Sequence, residues 1–303
     1  MEIWIIRGST KKTMKQLTTY LTAALLGLAP LPLTLQVASA SAGNAITVKG
    51  SDTMVILAQK WAEVYMGKQG TVKIQVTGGG SGTGIAALQN QTTDLCNSSR
   101  KIKAAEIAEC IKSFNRRPTE YKVALDGLSI YVSESNPVKD LTLDQISRIF
   151  TGKVKNWKQV GGPDAPIKLY SRENSSGTYE FFKEHVLEGQ DFSASAQTMP
   201  GTAAVLEAVA KDKNGIGYGG AAYGKGARHV PVKKDDSGPA IDPTEENVVK
   251  GIYPIWRHLF IYVNPALDKG QTAAYLNWIR SDDGQRVVKE VGYFPLPAQL
   301  REK

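Results

Sequence analysis

The sequence predicts an α/β protein of two lobes joined by two crossing strands. Three observations carry that reading. Short β-like runs and amphipathic helices alternate along most of the chain, the order of a parallel sheet covered by helices. Three of those runs break into a Ser/Gly/Thr turn and open directly into a helix. Two strands of nearly the same text, Leu128-Ser-Ile-Tyr-Val-Ser133 and Leu259-Phe-Ile-Tyr-Val263, are each followed by Asn-Pro and lie about 130 residues apart.

The chain begins with the pattern of an export signal over residues 1–40. Arg7, Lys11, Lys12 and Lys15 precede an apolar stretch from Leu17 to Val37, and Ala38-Ser39-Ala40 is a small-x-small cleavage site. Pro30 and Pro32 interrupt that stretch and argue against a retained membrane anchor. The leader carries four basic residues against Glu2, so the net charge of +8 falls to about +5 beyond it. A mild, scattered positive charge fits a small anionic ligand and not nucleic acid. Cys96 and Cys110 would close a loop of 15 residues, worth about 3 kcal/mol if they pair. Their positions fit two unpaired small hydrophobes equally well. His185, His229 and His258 are too far apart for metal-ligand spacing.

The elements follow in order. Ile46–Gly50 reads as a strand; Met54, Leu57, Ala58, Trp61, Val64 and Tyr65 place a helix over 53–67. A strand over 72–77, a helix over 82–89, a short strand over 94–96 and a helix over 104–114 continue the alternation. Beyond the first Asn-Pro strand come helices over 143–150, 178–187 and 203–211 and strands over 167–170 and 216–218. Helices over 272–279 and 284–291 close the chain. The twin Asn-Pro strands fit a tandem repeat, although their flanks do not match. They also fit two hinge strands, 128–135 and 257–264, bending near Val132 and Tyr262. The hinge reading puts 46–130 and 264–303 in one lobe and 136–256 in the other.

The three turns carry the chemistry. They are Ser51-Asp52-Thr53, Gly78-Gly-Gly-Ser81-Gly82-Thr83-Gly84, and Ser171-Arg172 through Ser176-Gly177-Thr178. A helix N-terminus carries about half a positive charge and free N–H groups. A Ser or Thr hydroxyl there adds a donor, and Gly admits a ligand close to the backbone. Three such ends would cage a small tetrahedral anion. Arg172 ends a strand four residues before Ser176, where its planar fork suits a bidentate clamp on an oxyanion. Arg100, in Ser98-Ser99-Arg100, clamps the anion or pairs with an acid such as Asp52 or Asp94. The glycine run fits neither G-x-G-x-x-G nor G-x-S-x-G. Gly219 to Lys225 nearly matches a P-loop, but Gly226 stands where Ser or Thr should follow.

Together Lys49 through Met54, Gly78 through Gly84, Asp94 through Arg100, Phe150-Thr-Gly152 with Asn156-Trp157, and Ser171-Arg172 with Ser176 through Thr178 resemble the phosphate-binding subunit of the phosphate-specific (Pst) ABC importer. The resemblance runs from Ile46 to about Pro297. It implies the class II periplasmic-binding-protein fold, one dehydrated phosphate bound between two lobes, and membrane permease subunits as partners. It also implies a monomeric periplasmic receptor with no cofactor and no metal. Carried over by motif, the phosphate ligands are Ser51, Thr53 and the Met54 backbone, then Ser81 with Gly82, then Ser99 beside Arg100, then Arg172, Ser176, Gly177 and Thr178. In the best-known branch an acid stands at the place of Ser99 and accepts the phosphate proton. Here Asp52 is the candidate acceptor. Competing readings are a receptor for sulfate or molybdate, and an exported phosphatase. The last needs a nucleophile–base pair or a metal site, and no His stands near a Ser motif.

Overall fold

A computed structural model describes residues 45–224 and 226–301. The expected export signal and Lys225 lie outside the described residues. β1 (Ile46–Gly50) lies between β2 (Ile74–Thr77) and β3 (Leu95–Ser98) and runs parallel to both. The crossovers are α1 (Val55–Gln69) and α2 (Ser81–Gln89). α1 buries Leu57, Ala58, Trp61 and Tyr65 of the stripe that its spacing predicts, with Ala62 beside them, and leaves Val64 partly buried. The Trp61 indole donates to Gly284 O at 2.8 Å, which satisfies its polar atom in the core.

α3 (Ala104–Phe114) leads into β4 (Thr119–Val132), much longer than the strand expected from residue 128. The middle of the chain holds β5 (Leu141–Thr142), α4 (Leu143–Phe150), β6 (Lys168–Arg172), α5 (Gly177–His185), β7 (Gln197–Met199), α6 (Thr202–Lys211) and β8 (Gly215–Gly220). β9 (Arg228–Val230), β10 (Val232–Lys233), α7 (Glu245–Val249), β11 (Trp256–Val263), α8 (Gly270–Arg280) and α9 (Asp282–Val291) complete it.

The strands form a mixed sheet ordered β2-β1-β3-β11-β4-β8-β6-β7, with β9 on β4. β11 runs antiparallel to both β3 and β4. β4 changes partners along its length: Thr119–Gly127 pairs with β11, and Leu128–Val132 pairs with β8 and β9. The twin texts therefore do not lie opposite one another. Leu259–Val263 faces residues 119–124, while Leu128–Val132 lies past the end of that pairing. Tyr262 is inside the ladders with β3 and β4, and Val132 is the last paired residue of β4 with β8 and β9. The change of partner falls at Gly127–Leu128, next to Ile255, whose carbonyl accepts from Leu128 N–H at 2.8 Å.

Two large apolar clusters lie along this sheet. One holds Leu57, Trp61, Tyr65, Tyr275 and Val288. The other holds Phe150, Trp157, Phe182 and Tyr218, with the last two rings stacked at 4.2 Å. The C-terminal segment belongs to both: Tyr293 packs in the first, Phe294 and Leu296 in the second. Phe294 bridges Leu125 on β4, within the 46–130 stretch expected to share its lobe, while its ring and Leu296 reach the second cluster. Cys96 and Cys110 are free thiols, both buried beside Ile85, Leu88 and Tyr262. Burial pushes the Cys110 thiol up to about 11, which keeps it protonated. Among the described residues, no helix is long and apolar enough to cross a membrane.

Candidate anion site

The three Ser/Gly/Thr turns meet where β1, β2 and β6 end. The first begins with a 3-10 turn, Asp52–Met54, that leads into α1. Tyr223 OH donates to Asp52 O at 2.7 Å and the buried Tyr293 OH donates to Thr53 O at 2.6 Å, so two phenols hold this turn by its carbonyls. Burial pushes Tyr223 up to about 12, so it donates at any physiological pH. The second turn enters α2 at Gly80, whose φ of 92° suits only glycine. A Cβ there would also lie 2.5 Å from Ser175 O. The third turn is capped by Ser176, whose hydroxyl accepts from Tyr179 N–H at 3.2 Å.

Four buried hydroxyls come together from these turns and from the end of β3. Thr53 Oγ1 lies 2.7 Å from Thr178 Oγ1. Thr178 Oγ1 lies 3.4 Å from Ser99 Oγ, which lies 3.3 Å from Ser81 Oγ. Ser81 Oγ also accepts from Ser99 N–H at 3.1 Å. Gly177 is where close approach matters most: a Cβ there would fall 2.2 Å from Ser81 Oγ.

Arg172 borders this cluster and is almost wholly buried. Its Nη2 donates to Asp52 Oδ2 at 2.8 Å and to Glu173 Oε1 at 2.8 Å. Its Nη1 donates to Thr202 Oγ1 at 2.8 Å and its Nε to Glu173 Oε2 at 3.2 Å. Burial alone would raise the Glu173 carboxyl; hydrogen bonds and charge from Arg172, with the Gly201 N–H, outweigh it and hold the group below its ordinary value. The other Asp52 oxygen accepts from Gly79 N–H at 2.7 Å, so Asp52 ties the first turn to the second and to Arg172.

The remaining expected residues are placed differently. Arg100 does not join the hydroxyl cluster, and neither Asp52 nor Asp94 is its partner. Its two terminal nitrogens donate to Glu106 at 2.8 and 2.7 Å, a bidentate pair. Burial would raise the Glu106 carboxyl, but Arg100 and the Lys103 N–H hold it below its ordinary value. The Asp94 carboxylate instead accepts from Thr47 N–H at 2.7 Å. The Met54 N–H is taken up by Ser51 O at 3.0 Å within the 3-10 turn, and Gly82 N–H by Ser175 O at 2.8 Å. Ser51 is buried and its own N–H donates to Asn97 O at 2.9 Å.

Sequence reasoning missed one pair. Asp126 on β4 and Arg257 on β11 are both buried, and Arg257 Nε and Nη2 donate to Asp126 Oδ2 at 3.0 and 2.8 Å. The signal was an ionisable residue inside each of two apolar strands, a placement seldom found without a partner. Arg257 reaches the cluster: Nη2 donates to Thr178 Oγ1 at 3.1 Å and Nη1 to Ser99 O at 3.0 Å. Two cations thus flank a knot of hydroxyls and helix starts. That arrangement can bind an oxyanion by donation. Among the described residues, no group of His, Cys, Asp and Glu is placed to hold a metal ion.

Fold and site together define a solute-binding protein of the PBP type, and a family model described as a PBP superfamily domain matches residues 37–283. The phosphate-binding protein PstS of Pseudomonas aeruginosa is 37% identical over 284 residues, covering 88% of each chain. PstS of Bacillus subtilis is 32% identical, covering 84% of this chain and 82% of that one. An ABC transporter substrate-binding protein from Clostridium perfringens, solved with bound phosphate, superposes with a TM-score of 0.77 at 29% identity, over 84% of this chain and all of that one. An ABC-type phosphate transport receptor from Vibrio cholerae superposes with a TM-score of 0.67 at 27% identity, over 83% of this chain and all of that one. The chain belongs to the PstS family of phosphate-binding proteins. Members of that family are solute-binding receptors, not enzymes.

Proposed function

We propose that this chain is the periplasmic phosphate receptor of an ABC importer, which captures inorganic phosphate between two lobes and presents it to membrane permease subunits. The observation that carries this reading is the meeting of the Thr53, Ser81 and Thr178 hydroxyls, at the starts of three helices, with that of Ser99 at the end of β3. Such a set donates hydrogen bonds to a small tetrahedral anion from several sides. Ser51, Asp52, Thr53, Met54, Ser81, Gly82, Ser99, Arg172, Ser176, Gly177 and Thr178 make up the proposed site, with Arg172 as clamp and Asp52 as acceptor of the phosphate proton. Arg100 is assigned to Glu106 instead.

The lobes are proposed as 46–127 with most of 264–303, and 128–255. The crossings are placed at Gly127–Leu128 and near Ile255–Trp256, where β4 changes partners, rather than at 128–135 and 257–264. The receptor is exported through residues 1–40 and acts as a monomer. Titration calorimetry of phosphate-stripped protein tests the reading. Tight binding of phosphate and weak binding of sulfate and molybdate is the expected result. Equal or tighter binding of sulfate or molybdate would replace it with the other-oxyanion reading, which a serine at the place of the usual acid favours.

A further inference from the structure

We infer that Arg257, held by Asp126, is the positioning residue of the anion site: it fixes the Thr178 hydroxyl as a donor to the bound oxyanion. The inference rests on the phosphate reading above and goes further by assigning a role to two residues in strands outside the binding turns. A guanidinium can only donate. The 3.1 Å bond from Arg257 Nη2 therefore occupies a lone pair of Thr178 Oγ1 and leaves the Thr178 proton for another oxygen. Thr53 Oγ1 at 2.7 Å and Ser99 Oγ at 3.4 Å are within reach of it, and an anion oxygen entering the cluster would take that proton.

Of the other hydroxyls, those of Thr53 and Ser99 meet only neighbouring hydroxyls, and those of Ser81 and Ser176 are fixed by neutral backbone groups. Ser81 accepts from Ser99 N–H, and Ser176 accepts from Tyr179 N–H. Thr178 alone among them is fixed by a buried cation, and charge-assisted hydrogen bonds are roughly twice as strong as neutral ones. The same guanidinium holds Ser99 O at 3.0 Å, so one side chain sets two of the four converging residues. Arg257 is itself held firmly. Asp126 Oδ2 takes two of its nitrogens, and Asp126 Oδ1 accepts from Ala221 N–H at 3.1 Å. The ring of Phe181 lies 5.2 Å from the guanidinium carbon.

The test is a double-mutant cycle read by calorimetry with inorganic phosphate. Arg257→Gln should weaken binding roughly ten- to hundredfold, and Thr178→Val should do likewise. Because Arg257 acts through Thr178, the double variant should bind within about threefold of the weaker single variant. A residue that merely supports the fold would lower the unfolding midpoint and combine multiplicatively with Thr178→Val, and that result overturns the inference. So does Arg257→Gln binding within threefold of wild type. If Arg257→Gln fails to fold because Asp126 is left unpaired, Asp126→Asn with Arg257→Gln removes both charges together, and the same loss is expected. Sulfate and molybdate are titrated in parallel. Wild type that prefers one of them refutes the phosphate reading, while the coupling between Arg257 and Thr178 is then judged on that anion.

Discussion

Asp52 Oδ2 accepts a 2.8 Å hydrogen bond from Arg172 Nη2 across 120 residues of sequence. The pair joins the first Ser/Thr turn to the strand that ends in the third. It also gives Arg172 a fixed direction, with four of its five N–H donors already aimed at Asp52, Glu173 and Thr202. With one N–H left for the anion, Arg172→Ala should weaken phosphate binding by about one to two orders of magnitude, since a charged hydrogen bond contributes roughly 1.5–3 kcal/mol. Arg172→Lys should recover charge without the fork. Calorimetric affinity within threefold of wild type for Arg172→Ala would remove the residue from the site.

Asp52 is the proposed source of selectivity in the same arrangement. Phosphate near neutral pH carries a proton and sulfate does not. A carboxylate beside the Arg172 fork accepts that proton but meets only lone pairs on sulfate. Leaving this partly buried group opposed costs about 1–3 kcal/mol, more when it is charged, so wild type should prefer phosphate by roughly ten- to a hundredfold or more. In Asp52→Asn the amide can turn a donor toward sulfate, and the preference should largely vanish while phosphate affinity falls only in part. Competition titrations decide it. If Asp52→Asn still rejects sulfate as wild type does, the acceptor lies elsewhere.

Arg100 supplies the opposite expectation. Its bidentate pair with Glu106 is a fold contact at 2.7 and 2.8 Å, with the Arg100 side chain 8% exposed. Arg100→Ala should leave phosphate affinity within threefold of wild type. It should cost about 1–3 kcal/mol of stability, because Glu106 loses its buried partner. A large loss of affinity without loss of stability in a denaturant titration would return Arg100 to the site.

These contrasts show which parts of the site the sequence discloses. Thr53, Ser81, Ser176 and Thr178 were legible because helix starts and turn chemistry are local: a few residues of text determine the conformation. The partner of Arg100 was legible too, since Glu106 lies three residues into the start of α3 and accepts from Lys103 N–H at 2.8 Å, but distant acids were weighed instead. Asp126 and Arg257 depend on the register of β4 against β11, where they stand directly opposite. Register is fixed by the whole pleated surface and its turns, not by similarity of text. For the same reason the twin Asn-Pro strands were found correctly as strands but set side by side in the wrong alignment.

Lobe closure is the third functional expectation. Contacts that link the first two turns to the third, Thr53 with Thr178 and Gly82 N–H with Ser175 O, can form only with the cleft shut. The lobes should bend at Gly127–Leu128 and near Ile255–Trp256. Small-angle scattering should give a smaller radius of gyration with phosphate than without. An unchanged radius, with binding confirmed by calorimetry on the same sample, contradicts a hinge.

The last expectation concerns pH. His258 follows Arg257 on β11, between the Trp256 and Phe260 rings, with a buried Nε2 that has no hydrogen-bond partner. Burial, with Lys122 and Lys101 nearby, pushes its pKa down to about 4. The unfolded chain, with an ordinary histidine near 6.5, therefore binds more protons than the folded one between about pH 6.5 and 4. The neutral ring's contribution to stability is fully present above about 6.5 and is lost as pH falls through that window. The unfolding midpoint should drop on acidification from pH 7 to 4.5, and His258→Phe, which cannot be protonated, should drop less. Equal losses in the two proteins, measured by thermal denaturation in the same buffers, would show that other groups carry the acid sensitivity.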